Sequence, residues 1–384
     1  MQRTIIFAAI IIIFSASLSY SQQLDIEGNL SLWYDIYEEN ENQVRQATTG
    51  ILAADTTSGF NLKQGRVAFN YKNPDTKLDG RIQIRLEERV AVLDAYAKWH
   101  PHELINIYAG QMKIPSLYEA LISDSELDFI SRSTLSGYIT DWSLSRTPYY
   151  SAFYGNRSYS RDLGIGLKGK AGPDKNKQMF SYFLMVGNGL GANLFIGGPE
   201  SKEFLYSNSF GDYFYGGRIN ITPISWMGIG GHYSRNTHNN VLFNDGKTVF
   251  DLERQSWSAD FHTNISRFQA GFMYGEGKVK DDYFYSTETS LYYQGYEVRI
   301  LCWLVKELLQ AGARYDTYTF RLHENGISTH QRNTTFGINV IPMKNMRLQL
   351  NYMIKETEEA GFPDLGDNIL YLNFQYNFDV AILQ

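Results

Sequence analysis

The chain has 384 residues, of which 15% are aromatic and 43% hydrophobic, and its formal net charge is −6. This length accommodates one large domain or two ordinary ones, and the acidic balance argues against a nucleic-acid partner. Cys302 is the single cysteine, which excludes an intrachain disulfide.

The N-terminus has the pattern of a secretory signal. Arg3 precedes an apolar run from Ile5 to Phe14, and the small residues Ser19 and Ser21 follow at signal-peptidase spacing. The run is shorter than the roughly 20 apolar residues of a spanning helix. We therefore predict a signal peptide over 1–21 and a mature domain over 22–384. The alternative is a buried N-terminal helix.

Apolar and polar residues alternate along most of the remaining chain. In the last clear example, Leu372, Phe374 and Tyr376 share one face while Asn373 and Gln375 share the other. Strands place successive side chains on opposite faces. The sixteen predicted strands are 25–37, 63–72, 79–89, 91–99, 103–113, 161–170, 178–188, 212–221, 226–235, 255–263, 266–275, 288–301, 307–319, 333–341, 346–355 and 368–378.

The connections between these strands alternate between short and long. Five of the seven short ones contain proline, which punctuates strands because it cannot donate to a ladder. Most of the others are long and polar. Short periplasmic turns opposite long external loops are typical of bacterial outer-membrane barrels. We predict an all-β fold, a transmembrane antiparallel up-and-down β-barrel of sixteen strands, with a soluble β-sandwich as the alternative.

Charged residues concentrate on the polar faces of the predicted strands. The inward bases are Arg66, Arg81, Arg85, Arg89, Lys98, Lys168, Arg218, Arg267, Arg299, Arg314, Arg347 and Lys355. The inward acids are Glu27, Asp35, Glu87, Asp94, Asp162, Asp260, Glu297 and Asp316. This excess of bases favours anion passage. Two alternatives stay open: an unselective lining of paired charges, and cation preference through acidic loops.

The connection over 114–160 is the longest, and it is too long to be passive in a compact domain. It carries apolar residues that water would disfavour, including Leu117, Phe129, Ile130 and Leu135. We predict that this third external loop folds into the barrel and forms the constriction. The alternative is an external cap over the mouth.

Several short motifs occur in order around this loop. Gly110-Gln111-Met112-Lys113-Ile114-Pro115 is followed by Glu119, then by Leu127-Asp128-Phe129-Ile130-Ser131-Arg132-Ser133, and later by Arg161-Asp162-Leu163-Gly164. Together with Leu93-Asp94-Ala95-Tyr96, this block resembles the phosphate-selective porin O and P family. The resemblance implies an outer-membrane porin, usually a homotrimer, whose third loop enters the channel. It places Lys113, Glu119, Arg132, Arg161 and Asp162 at or near the constriction.

The loop itself does not indicate which solute passes. Between Ile114 and Ser160, three arginines face five Asp or Glu residues. We predict passive diffusion of small hydrophilic solutes with a preference for anions, lipid contact in the outer membrane, and no cofactor or metal. Two other classes remain: an outer-membrane hydrolase using His323 or His330, which we place in an external loop, and a plugged structural or adhesive barrel.

Overall fold

The computed structural model describes residues 22–37, 59–87, 90–141, 160–173, 179–189, 213–242, 249–281, 291–322, 328–359 and 365–383. Within these ranges sixteen strands are present. They are β1 (Gln23–Tyr37), β2 (Gly59–Asn73), β3 (Leu78–Arg85), β4 (Ala91–His102), β5 (Ile105–Lys113), β6 (Arg161–Ala171), β7 (Phe180–Gly187), β8 (Phe214–Ile224), β9 (Met227–Leu242), β10 (Val249–Ile265), β11 (Phe268–Asp281), β12 (Leu291–Val305), β13 (Leu309–Leu322), β14 (Ser328–Met343), β15 (Met346–Glu359) and β16 (Leu365–Leu383).

The strands form one closed barrel in which each strand pairs with its neighbours in the chain. β1 closes the ring by pairing antiparallel with β16, for example at Leu30 and Tyr376. Closure leaves no unpaired sheet edge, which a membrane-spanning sheet requires because lipid cannot satisfy backbone hydrogen bonds. The structure confirms the predicted sixteen-stranded up-and-down barrel.

The two faces of the sheet differ as the alternation predicts. On β16, Leu372 and Tyr376 are 44% and 41% exposed, whereas Asn373 and Gln375 are 5% and 3% exposed. Apolar side chains thus cover the outside and polar side chains are buried inside, the reverse of a soluble domain. This arrangement is typical of a barrel with hydrocarbon around it.

Several strand ends differ from the predicted ones. β14 begins at Ser328 and β16 continues to Leu383, whereas β3 stops at Arg85. The placement of His330 in a loop is wrong: it lies in β14, where its Nδ1 is 2.8 Å from Thr319 Oγ1 on β13. Polar residues near the rim lack the apolar alternation of the membrane band, yet their backbones still pair. His323 and Arg89 lie outside the described residues.

The connection after β5 contains short helices that period-two alternation does not indicate. They are α1 (Tyr118–Leu121), a 3₁₀ helix (Asp124–Glu126) and α2 (Thr134–Asp141). Ser133 caps α2, because its hydroxyl accepts the Ser136 N–H at 3.2 Å. Among the described residues, these helices are all too short or too polar to be candidate membrane spans.

Candidate functional site

Residues 114–136, here called the anchored segment, are held by side chains from widely separated strands. Backbone carbonyls of the segment accept hydrogen bonds from Arg218 on β8, Arg347 on β15 and Gln375 on β16. The acceptors are Ser116 at 3.1 Å, Leu127 at 2.8 Å and Ser125 at 2.8 Å, respectively. The segment lacks a regular backbone ladder of its own, so wall side chains satisfy its buried polar groups.

Glu119 is the centre of a buried ion network. Its Oε2 accepts hydrogen bonds from the backbone N–H and the hydroxyl of Ser133, both at 2.9 Å. Its Oε1 lies 3.6 Å from Arg314 Nη1 and 3.9 Å from Arg299 Nη1. Burial acts to raise the pKa of this carboxyl, but the two guanidinium groups outweigh burial and hold the pKa below its ordinary value.

A second carboxylate binds the start of α2. Asp316 Oδ1 on β13 accepts the N–H of Thr134 at 2.9 Å, and Arg314 Nε lies 3.5 Å from Asp316 Oδ2. A negative charge at a helix N-terminus is favourable because the first N–H groups have no partner within the helix. Arg314 also donates to the Ser131 carbonyl at 2.7 Å. This one arginine therefore contacts both the residues that precede α2 and the carboxylate that binds its first N–H group.

Asp124 ties the other side of the anchored segment to β2. Arg66 Nη2 lies 2.7 Å from Asp124 Oδ2, and Arg66 Nε lies 3.3 Å from Glu87 Oε1. Arg132 also donates to Asp124. Burial acts to raise the pKa of the Asp124 carboxyl, yet Arg66 and Arg132 outweigh burial and hold the pKa below its ordinary value.

Lys113 and Arg132 close the C-terminal end of α1. Lys113 Nζ donates to the carbonyls of Ala120, Leu121 and Ile122 at 3.0 to 3.3 Å. Arg132 donates to the carbonyls of Glu119 and Ile122. Cations suit this position because the last carbonyls of a helix are unpaired and carry partial negative charge. Both residues hold the segment's own conformation.

Three further predicted residues, Arg218, Arg161 and Asp162, are buried on the wall. Arg218 forms a bidentate pair with Asp260 at 2.7 and 2.8 Å, and both side chains are at most 2% exposed. Arg161 Nε donates to Asp94 at 2.7 Å. Asp162 accepts the N–H groups of Leu163 and Gly189 at 2.8 and 2.5 Å.

Other predicted bases remain partly exposed on β3 and β4. Arg81 is 24% exposed and pairs with Glu27 at 2.9 Å, while Lys98 is 26% exposed and pairs with Asp79 at 2.9 Å. Arg85, the last residue of β3, is half-buried. The predicted pore-lining residues thus divide into buried anchors and accessible cations, with Arg89 outside the described residues.

The sequence reasoning missed the uncharged amides that also contact the anchored segment. Asn339 and Gln349 donate to the Asp128 and Leu127 carbonyls at 2.8 and 3.2 Å, and Asn351 accepts the Ile130 N–H at 2.7 Å. A usable signal was present, because amides recur on the polar faces of β14, β15 and β16. Amides can satisfy a packed backbone without burying a charge.

In the part of the chain that the structure describes, no group of three or more His, Cys, Asp or Glu side chains could hold a metal ion.

Solved outer-membrane proteins share the fold at low sequence identity. A loop-deletion mutant of OmpT from Vibrio cholerae is 12% identical, with a TM-score of 0.62, over 93% of this chain and 100% of that one. The channel DcaP of Acinetobacter baumannii is 12% identical, with a TM-score of 0.61, over 93% and 98%. In-vitro folded OmpT in its trimer form is 9% identical, with a TM-score of 0.61, over 93% and 100%.

The family assignment comes from the sequence itself. No curated protein matches the chain significantly. Residues 61–378 match the profile of a family of channels that are not enzymes, the phosphate-selective porins O and P, and this range covers most of the barrel. The closed antiparallel barrel, its apolar exterior and this match lead to one conclusion: the chain belongs to the phosphate-selective porin O and P family and is an outer-membrane porin.

Proposed function

We propose that this porin passes small hydrophilic solutes by passive diffusion, that the anchored segment narrows its lumen, and that accessible wall cations give it a modest preference for anions. The segment would set the pore size, while Arg81, Arg85 and Lys98 would act on the charge of the solute. This assigns different tasks to the two groups of predicted pore residues.

One observation carries the proposed constriction. The anchored segment contacts the wall through Arg66 on β2, Arg218 on β8 and Gln375 on β16. In the closed order of sixteen strands, β8 and β16 stand half a circumference apart. Side chains from opposite walls can meet one short segment only if it passes between them, which favours a segment inside the barrel over an external cap.

The anion preference is supported by the accessible cations. A narrow pore in a low-dielectric wall concentrates the field of each charge on the passing solute. The planar guanidinium of Arg81 or Arg85 suits carboxylate and phosphate groups. An unselective lining is the second candidate, favoured by the Arg81–Glu27 and Lys98–Asp79 pairs, which partly neutralise the same wall.

Assembly and export complete the proposal. OmpT has been solved in a trimer form, and we infer a homotrimer here, in which part of the apolar exterior would meet neighbouring subunits and the remainder outer-membrane lipid. Residues 1–21, which lie outside the described residues, would be a signal peptide removed on export to leave residues 22–384.

The sharpest test is to remove the anchored segment. Replacing residues 117–136 by a short Gly/Ser linker should raise single-channel conductance several-fold in planar bilayers, because the segment would no longer occupy the lumen. A deletion of similar length in the connection between β1 and β2 is the control. Equal or lower conductance of the first variant, with the barrel still folded, would contradict the proposed constriction.

A further inference from the structure

A concave pocket of about 800 Å³ lies on β9 to β13, away from the anchored segment. Nine of its twelve lining residues form two adjacent rows across the sheet, and the other three lie between the rows. Tyr233, Trp257, Glu276, Gln294 and Thr319 make one row by strand register, and Gln255, Lys278, Tyr292 and Arg321 make the next. The shape of the pocket therefore depends on the pairing of five strands and not on the conformation of a loop.

These rows belong to the outer face of the barrel. Trp257 is 40% exposed, whereas its neighbours Ser256 and Ser258 are 1% and 3% exposed. Tyr233 and Tyr292 are also exposed. A solute inside the barrel could not reach these side chains, so a role in conduction does not explain them.

The pocket lies at a definite level of the membrane. Arg321 and Tyr292 adjoin the ends of β13 and β12 that lead to the longer connections, which are external in this class of barrel. On the other side of the pocket the outer face becomes apolar, with Phe261, Phe272 and Ile300 exposed. Aromatic side chains at such a boundary mark the interface between hydrocarbon and headgroups.

Charge distinguishes the pocket from an ordinary aromatic girdle. Within the described residues, no ion pair joins Lys278 or Arg321 to an acid. The acid beside them, Glu276, accepts hydrogen bonds from Trp257 Nε1 at 2.6 Å and from Tyr274 OH at 3.0 Å. Its carboxylate is thus held by neutral donors, and the two cations remain available for an external anion.

We propose that this pocket binds the phosphorylated sugar headgroup of an outer-leaflet glycolipid. Lys278 and Arg321 would hold a phosphate through charge-assisted hydrogen bonds. Trp257, Tyr233 and Tyr292 offer flat apolar surfaces to the sugar rings, and Glu276 and Gln294 can accept hydrogen bonds from hydroxyl groups. The position at the external headgroup level selects a lipid headgroup over free phosphate.

The test is retention of lipid A by the purified full-length protein, measured by native mass spectrometry. The variant carries Lys278→Gln and Arg321→Gln together. We expect it to bind doubly phosphorylated lipid A about tenfold more weakly, while its binding of dephosphorylated lipid A is unchanged. Lys344→Gln, at an exposed cation on the turn between β14 and β15, is the control and should retain both lipids equally.

Three outcomes would overturn the proposal. Equal retention of phosphorylated lipid A by the folded variant would show that the cations do not bind it. Competition by millimolar inorganic phosphate as effective as that by lipid A would indicate a soluble-anion site. Loss of the oligomer with no change in lipid affinity would identify the pocket as a contact between subunits. Thermal unfolding of each variant verifies that the barrel remains intact.

Discussion

Two regions of the inner wall use their basic side chains differently. On β12 and β13, Arg299 and Arg314 are 7% and 2% exposed and lie beside Glu119 of the anchored segment. On β3 and β4, Arg81 and Lys98 keep about a quarter of their side-chain surface exposed and pair with acids of the wall itself. The basic side chains of the first region bind the anchored segment, whereas those of the second region remain in contact with solution.

The difference shows that an inward arginine is not by itself a selectivity residue. Removing one partner of a buried ion pair typically costs about 3–5 kcal/mol, because the other charge is left uncompensated. Removing one partner of an exposed pair changes stability by about 0–1 kcal/mol. Substitutions on β13 should therefore affect stability and pore size, whereas substitutions on β3 should affect mainly the charge of what passes.

The largest effect is expected at Arg314. Arg314→Gln leaves Glu119 and Asp316 without their shared cation, and we expect a loss of about 3 kcal/mol in stability together with release of the segment and higher conductance. Thermal unfolding and single-channel recording measure the two effects. Arg332→Gln is the control, since Arg332 lies half-exposed on the opposite face from Asn333. If the Arg314 variant were destabilised but kept the wild-type conductance, the ion network around Glu119 would not control the size of the pore.

Acid should weaken the contacts between the anchored segment and the wall, but at a lower pH than for carboxyl groups with ordinary pKa values. The pKa values of Glu119 and Asp124 are lowered in the folded barrel, so their stabilisation is fully present above the unfolded values of about 4 and declines as pH falls below them. Conductance should be constant from about pH 7 to pH 5 and should rise only below about pH 4. The double variant Glu119→Gln, Asp124→Asn should lose this acid-dependent rise. A rise already complete at pH 6 in the wild type would contradict the prediction.

A smaller effect, on selectivity alone, is expected at Arg85. Arg85→Glu should lower the anion-to-cation permeability ratio with little change in stability, because the residue is half-buried on the accessible wall. The reversal potential in a salt gradient measures the ratio. The permeability ratio of Arg85→Gln should lie between those of Arg85→Glu and the wild type. An unchanged reversal potential would favour the unselective lining.

The barrel could be predicted because its determinants are local. Alternation of apolar and polar residues depends only on neighbouring positions, and prolines mark turns wherever they occur. Strand ends were less predictable, as His330 shows. Near the rim the lipid no longer imposes an apolar face, and whether a polar stretch extends a strand depends on its pairing with β13.

The anchor could be predicted only in outline. The apolar content of Leu117, Phe129 and Leu135 indicated a segment that must be buried, and all three are. The short helix α2 and the bond from its Thr134 N–H to Asp316 were not predicted, because Asp316 lies 182 positions further along the chain. A single sequence does not show which of its distant residues come into contact in the folded protein.

By itself, then, the sequence determined the barrel, its apolar exterior, its polar interior and its family, since each follows from residue order. Only the tertiary structure decided which of the inward charges meet the anchored segment and which stay in contact with solution. Burial and pairing control what a charge does, and both depend on which strands face each other across the closed ring.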